Sequence, residues 1–161
     1  EDVVTTNERF RCALGYRYGN RKMGCHVHRS PVNMNIGIYE SCNAYFANLY
    51  RRIIDKYETP AKGIDNWSKH IKSFGLGNYL NNDLSVGQPG KVPAASTYNR
   101  AYGKNKWYTT FTISNAIGQG EVLATPIQLA NMAAAIGNRG YYYTPHIIKE
   151  IENETIPEKY D

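Results

Sequence analysis

Two sets of residues in this sequence have the types and spacing to do chemistry. The first is Ser41-Cys42-Asn43, inside the stretch IYESCNAYFANLY at residues 38–50. A hydroxyl two positions from a carboxamide, where an apolar periodicity begins, admits two readings. Ser and Asn are preferred helix caps, because their side-chain oxygens accept the orphan N–H groups of a first turn. They can also be chemistry, since residues two apart on a first turn point in different directions and one can cap while the other faces a groove. The second set is Cys12, Cys25, His28 and Cys42. Three thiolates and an imidazole form a tetrahedral zinc complement, and Cys25-x-x-His28 is a workable chelating spacing on a turn, with His26 as an alternative to His28. Cys is also among the most buried residue types, and a Cys12–Cys25 disulfide suits an oxidising compartment. Three cysteines are too few for a disulfide-dense scaffold, and an odd count leaves at least one thiol without an internal partner. His70 and His146 read as surface residues.

The elements that must position these groups follow from periodicity. Residues 1–34 are polar with interspersed Gly and Tyr and read as irregular. Tyr45, Phe46, Leu49, Ile53 and Tyr57 recur at spacings of three and four, the mark of one buried helical face, so a helix starts near Ser41 and ends before Pro60. Ile64, Trp67, Ile71 and Phe74 predict a second helix over 64–74, closed by Gly75. Residues 75–110, rich in Gly, Asn, Pro and Tyr, read as one long loop. Thr125, Pro126 and Gln128 form a strong helix-start signal, and Leu129, Met132, Ala133 and Ile136 are expected to supply that helix's buried face. The closing YYYTPHIIKEI predicts one short strand around Ile147-Ile148.

The length of 161 residues suits one domain or a piece of one. No window approaches the run of about 18 apolar residues that a membrane span needs, and the first ten residues carry no basic, apolar leader, so an anchor or targeting segment is expected outside this chain. The net charge of +5 comes from scattered Lys and Arg rather than a block, so nucleic-acid binding is not expected.

Read in order, Ser41-Cys42-Asn43 continuing into Tyr45-Phe46, then FGLGN at 74–78, then Gly118-Gln119-Gly120, Thr125-Pro126, Gln128, Ala130 and the segment from Gly140 to Pro145 make a recognisable series. The sequence resembles the transpeptidase domain of class B penicillin-binding proteins, most closely the cell-elongation type. The resemblance implies a mainly α fragment with little β, the helical part of the α/β penicillin-binding transpeptidase and serine β-lactamase-like fold. These enzymes use Ser-x-x-Lys, Ser-x-Asn and Lys-Thr-Gly. Only the middle motif occurs here, so residues 1–161 are expected to be a partial transpeptidase domain, an internal segment inactive by itself.

By resemblance, Ser41 relays a proton toward the leaving D-alanine nitrogen, and Asn43 hydrogen-bonds the side-chain amide of the substrate or of a penicillin. Some elongation-type members carry zinc on two Asp, a His and a Cys beside this motif. Cys42 and His28 match the last two here, and Cys12 and Cys25 would replace the aspartates, giving a structural Zn2+ site. The implied setting is the periplasmic face of a membrane, the implied substrates are peptidoglycan stem peptides and β-lactams, and the implied partner is a glycosyltransferase of the elongation machinery. Helix faces that pack on a sheet in the full fold are expected to be exposed. The rival readings are a zinc-stabilised, non-enzymatic binding module using the Tyr-rich segment 75–110, and a degenerate homologue that keeps only the scaffold.

Overall fold

A computed structural model describes residues 3–83, 87–148 and 159–160. They fall into two compact units, residues 1–67 with 93–121 and residues 68–92 with 122–161. The architecture is mainly helical with little strand, as expected.

The first unit opens on a hairpin, β1 (Gly15–Tyr18) antiparallel to β2 (Arg21–Gly24), in the register Gly15↔Gly24 to Tyr18↔Arg21. Gly19 opens its two-residue turn at φ +56°, which a primed hairpin turn requires. A short helix, α1 (Met34–Tyr39), follows, capped by Asn33, whose Oδ1 accepts the Ile36 N–H at 3.1 Å. The hairpin lies within residues 1–34, which the sequence reading had as irregular, and α1 begins where that stretch ends. Four-residue arms with only Met23 buried carry too little alternation to register as strands.

Helix α2 (Asn43–Asp55) buries Ala44, Tyr45, Ala47, Tyr50 and Ile54. Of the expected face only Tyr45 is fully buried; Phe46, Leu49, Ile53 and Tyr57 are half-buried, because neighbours cover the helix on an adjacent stripe. Helix α3 (Pro60–Ser73) starts four residues earlier than periodicity predicted. Pro60 begins it rather than merely ending α2: Thr59 Oγ1 accepts the Lys62 N–H at 3.2 Å, and proline's missing N–H is no loss in a first turn. Gly63 lets the two helices meet, since a Cβ there would stand 2.3 Å from the Ile54 carbonyl oxygen.

The long loop expected at 75–110 contains a helix, α4 (Ala95–Tyr102). The Ala95 N–H is accepted at 2.8 Å by the carboxylate of Asp65, thirty residues away, while Ala94, at the N-cap, has no side chain to cap with. A 3-10 helix (Thr109–Ile117) then packs on α2. Between them lies a buried polar chain. Tyr50 donates to Thr112 Oγ1 at 2.9 Å, Asn115 Nδ2 donates to the Tyr98 and Tyr50 hydroxyls at 2.8 and 3.3 Å, and Tyr98 donates to Glu121 at 2.8 Å. Around this chain, Ala47, Ile54, Ile64, Ala95, Trp107 and Ile113 form the larger apolar core.

In the second unit α5 (Pro126–Gly137) has the expected capping box, Thr125 accepting from Gln128 and Gln128 from Thr125. Its expected buried face is wrong. Leu129, Ala133 and Ile136 are exposed and Met132 is half-buried, while Gln128, Asn131 and Ala135 are buried. Gln128 Nε2 donates to the Asn78 and Pro89 carbonyls at 2.7 and 2.9 Å, and Asn131 to the Phe74 carbonyl at 3.3 Å. The side inside this unit is the one that satisfies loop backbone, and the apolar stripe faces outward. The strand expected at Ile147-Ile148 is also corrected. Strand β3 (Tyr142–Tyr143) pairs with β4 (Lys159–Tyr160), whereas both isoleucine N–H groups bind the Asp83 carboxylate; residues 149–151 lie outside those described. Among the described residues no helix is long and apolar enough to cross a membrane.

Candidate functional site

The stretch between α1 and α2 is a complete helix-ending motif. Glu40 is the last half-helical residue, the Ser41 N–H bonds the Ile38 carbonyl at 3.1 Å, and the Cys42 N–H bonds the Gly37 carbonyl at 2.8 Å. This is the Schellman pattern, which places Ser41 in the left-handed position that glycine usually fills, at φ +48°. Ser41 is therefore no cap for α2. Its hydroxyl is exposed and has no hydrogen-bond partner among the described residues.

The cap of α2 is Cys42, whose Sγ accepts the Tyr45 N–H at 3.4 Å. Sequence logic had offered Ser and Asn for that role. Asn43 instead starts the helix proper, half-buried, and its Nδ2 donates to the Gly24 carbonyl at 2.8 Å. This bond ties the amide to the end of the hairpin and leaves Oδ1 available to an incoming N–H. Chain geometry thus holds Ser41 out toward solvent and fixes Asn43 beside it.

Gly24 precedes Cys25, and here the two sets of residues meet. One ligand atom each from Cys12, Cys25, His28 and Cys42 lie within 4.8 Å of one another. The hairpin supplies two of them: Cys25 directly follows β2, its N–H bonding the Leu14 carbonyl at 3.2 Å, and Cys12 stands just ahead of β1. The Cys12 N–H is anchored by Ser30 Oγ at 2.9 Å. His28 donates Nδ1–H to the Arg29 carbonyl at 2.7 Å, which turns Nε2 toward Cys25 Sγ at 3.4 Å. That is the arrangement in which a ligating imidazole is oriented by its other nitrogen. His26 is exposed, with its ring 5.1 Å from that of His28, and is not a member of the cluster. His70 and His146 are exposed, as expected.

The donor set fits zinc. Tetrahedral thiolates about 2.3 Å from the ion stand roughly 3.8 Å apart, so sulfurs already within 4.8 Å need close by about 1 Å or less. Burial grades the three thiols: Cys42 is fully buried, Cys12 and Cys25 partly exposed. Burial pushes the Cys42 thiol up to about 12. At Cys25 burial acts in the same direction but is outweighed by hydrogen bonds from His28, the Asn43 and Ala44 backbone and Cys12, which bring the thiol below its ordinary value. The Arg29 carbonyl, chiefly, raises His28. Both shifts run toward the charged forms of the two groups.

Comparison with known proteins adds the following. The family model described as the penicillin-binding protein transpeptidase domain matches residues 1–161. Peptidoglycan D,D-transpeptidase MrdA of Acinetobacter baumannii is 35% identical over 118 residues, 73% of this chain and 16% of that protein. The crystal structure of Pseudomonas aeruginosa PBP2 is similar at a TM-score of 0.79 with 28% identity, covering 99% of this chain and 34% of that one. A peptidoglycan synthase complex, solved to show how polymerization and crosslinking are coordinated, contains a chain similar at a TM-score of 0.78 with 27% identity, over 98% of this chain and 26% of that one. The chain thus spans about a sixth of the length of the curated relative it matches.

Proposed function

The chain belongs to the penicillin-binding protein transpeptidase domain family, and from that premise we propose that it is the middle segment of a peptidoglycan D,D-transpeptidase of the cell-elongation type. Its parent crosslinks stem peptides through a serine acyl-enzyme that β-lactams also form, on the periplasmic face of a membrane to which it is anchored. A glycosyltransferase that polymerises the glycan is the partner this reading implies; the likeness to a chain of a polymerising and crosslinking complex supports it.

The observation that carries the reading is the disposition of Ser41 and Asn43. A hydroxyl exposed on a left-handed residue, where glycine would be easier, stands beside an amide pinned through Nδ2 to the Gly24 carbonyl. Acyl transfer needs a proton delivered to the departing amine, and a hydroxyl with no other partner is free to accept and pass one. The Asn43 Oδ1 receives the N–H of the peptide and fixes its register against the scissile bond. Neither residue is the nucleophile: the sequence holds no Ser-x-x-Lys, so an activated serine must come from elsewhere in the parent.

Cys12, Cys25, His28 and Cys42 would hold a structural Zn2+ that staples the hairpin to the start of α2. When bound, the ion supplies no step of acyl transfer; it keeps the Gly24 carbonyl under Asn43. A non-enzymatic binding module is not favoured, since the family match spans the chain.

A fluorescent penicillin tests the reading. The complete parent is expected to be acylated, Ser41→Ala to slow acylation by about 10²-fold or more, and the isolated chain to take no label. Stable label on the isolated chain, or an unchanged rate in Ser41→Ala, would refute it.

A further inference from the structure

The three sulfurs of the same cradle are unequally protected. Cys42 is fully buried and engaged as the α2 cap, while Cys12 and Cys25 are partly exposed. Cys12 also lines a surface pocket of about 470 Å3 with Arg9, Arg11, Ala13, Ser30 and Pro31. Cys12 and Cys25 flank the two strands of one hairpin, with Cys25 N–H on the Leu14 carbonyl, so a bond between them closes within the hairpin and leaves α2 in place. A disulfide needs a sulfur separation of about 2 Å, reached from below 4.8 Å by rotating side chains of neighbouring arms.

We propose that the cradle is a thiol switch: a hydroperoxide converts Cys12 and Cys25 into a disulfide, which removes two of the four donors and releases the ion. The proposal rests on the zinc reading above. In the first step one thiolate of the pair attacks a peroxide oxygen; the O–O bond breaks, a sulfenic acid forms, and hydroxide leaves to become water. In the second, the other sulfur attacks the sulfenic sulfur, the S–O bond breaks, and a second water departs. The two sulfurs lose two electrons, the peroxide gains them, and two protons taken up from the buffer complete the two waters. Cys42 and His28 remain, too few to keep zinc.

The consequence reaches the candidate active site through one residue. Gly24, whose carbonyl holds the Asn43 amide, is bonded directly to Cys25. Release of the ion and closure of the disulfide pull on that peptide, so oxidation loosens the Asn43 amide while the backbone bonds of the Ser41 turn and the body of α2 stay in place. A crosslinking enzyme built this way slows under peroxide and recovers on reduction.

The test uses the zinc-loaded protein exposed to hydrogen peroxide. Zinc release is read with a chromogenic chelator, intact mass by mass spectrometry, and linkage by peptide mapping. The expected result is release of the bound zinc together with a mass lower by about 2 Da, a linked peptide joining Cys12 to Cys25, and reversal of all three by dithiothreitol and fresh zinc. Cys42→Ser is expected to form the same linkage under peroxide, and Cys12→Ser to form none. Zinc retained under the same exposure, oxygen added to sulfur without a crosslink, or a linkage through Cys42 would overturn the switch while leaving the zinc reading intact. An untreated protein that binds no zinc would overturn the zinc reading itself, and the switch with it.

Discussion

Replacing Ser41 with glycine is expected to make the protein more stable and less active. The residue sits at φ +48° in a Schellman turn whose bonds, Ser41 N–H to Ile38 and Cys42 N–H to Gly37, are made entirely by backbone. Any side chain there carries the left-handed penalty of about 1–2 kcal/mol that glycine escapes. Glycine gives back roughly 0.4–1 kcal/mol through a freer unfolded chain, so Ser41→Gly should gain about 0.5–1 kcal/mol. Ser41→Ala keeps a Cβ and loses a hydroxyl that binds nothing, so it should stay within about 0.5 kcal/mol of the native protein. Urea unfolding of the three proteins at one zinc concentration measures both differences. Acylation by fluorescent penicillin in the complete parent then separates backbone from chemistry: both variants lack the hydroxyl and should slow alike. A Ser41→Gly protein no more stable than Ser41→Ala would refute the claim that this serine is held in a strained position for its hydroxyl.

Cys42 should show separable roles. In chelator, Cys42→Ala is expected to lose about 1–2 kcal/mol through the missing cap and the void, and Cys42→Ser less, because its oxygen still accepts the Tyr45 N–H; both should lose the added stability that excess zinc confers on the native protein, about 4 kcal/mol at a thousandfold excess over Kd. Unfolding with and without zinc checks this, and a serine variant that keeps the whole zinc increment would remove Cys42 from the ligand set. Gln128→Glu places a carboxylate against the Asn78 and Pro89 carbonyls at a buried position and should cost about 3 kcal/mol or more at neutral pH. Because burial raises the folded pKa of such a carboxyl, the protonated form's share of stability is present below about pH 4 and lost as pH rises, so acid should narrow the gap to the native protein. Burial pushes the Tyr50 phenol up to about 12 and Tyr98 up as well, against the opposing bonds from Thr112 and Asn115. Raised values mean a contribution complete below pH of about 10 that disappears as pH climbs through Tyr50's folded value, so tyrosinate absorbance should show these rings ionising last and with unfolding; an early, reversible ionisation of Tyr50 in the folded protein would contradict the buried network.

Much of the outline was legible because it is written in local signals. Helix α2, the second helix apart from its first turn, and the start of α5 at Thr125-Pro126-Gln128 follow from periodicity and capping chemistry that neighbours in the chain supply. The order of motifs named the family, and residue types alone nominated Cys12, Cys25, His28 and Cys42. Helix α4 was hidden because its cap arrives from Asp65, and the hairpin because its arms bury almost nothing. Apolar spacing located the stripe of Leu129 and Ile136 on α5 correctly but assigned it inward, since periodicity says which residues share a face and not which side of the helix finds unsatisfied carbonyls.

At the site the division is sharper. By itself the sequence determined which groups are available: a hydroxyl, an amide, three thiols and an imidazole, in a chain of the transpeptidase family. Only tertiary structure decided their roles, making Cys42 rather than Ser41 the cap, giving Ser41 the left-handed turn, and tying Asn43 to Gly24. The reason is physical. Residue type sets what a side chain can donate or accept; the turn at Ser41 and the Cys42 cap are closed by partners three to five residues away, but the Asn43 amide meets backbone folded back from 19 residues away, and no local pattern encodes that return.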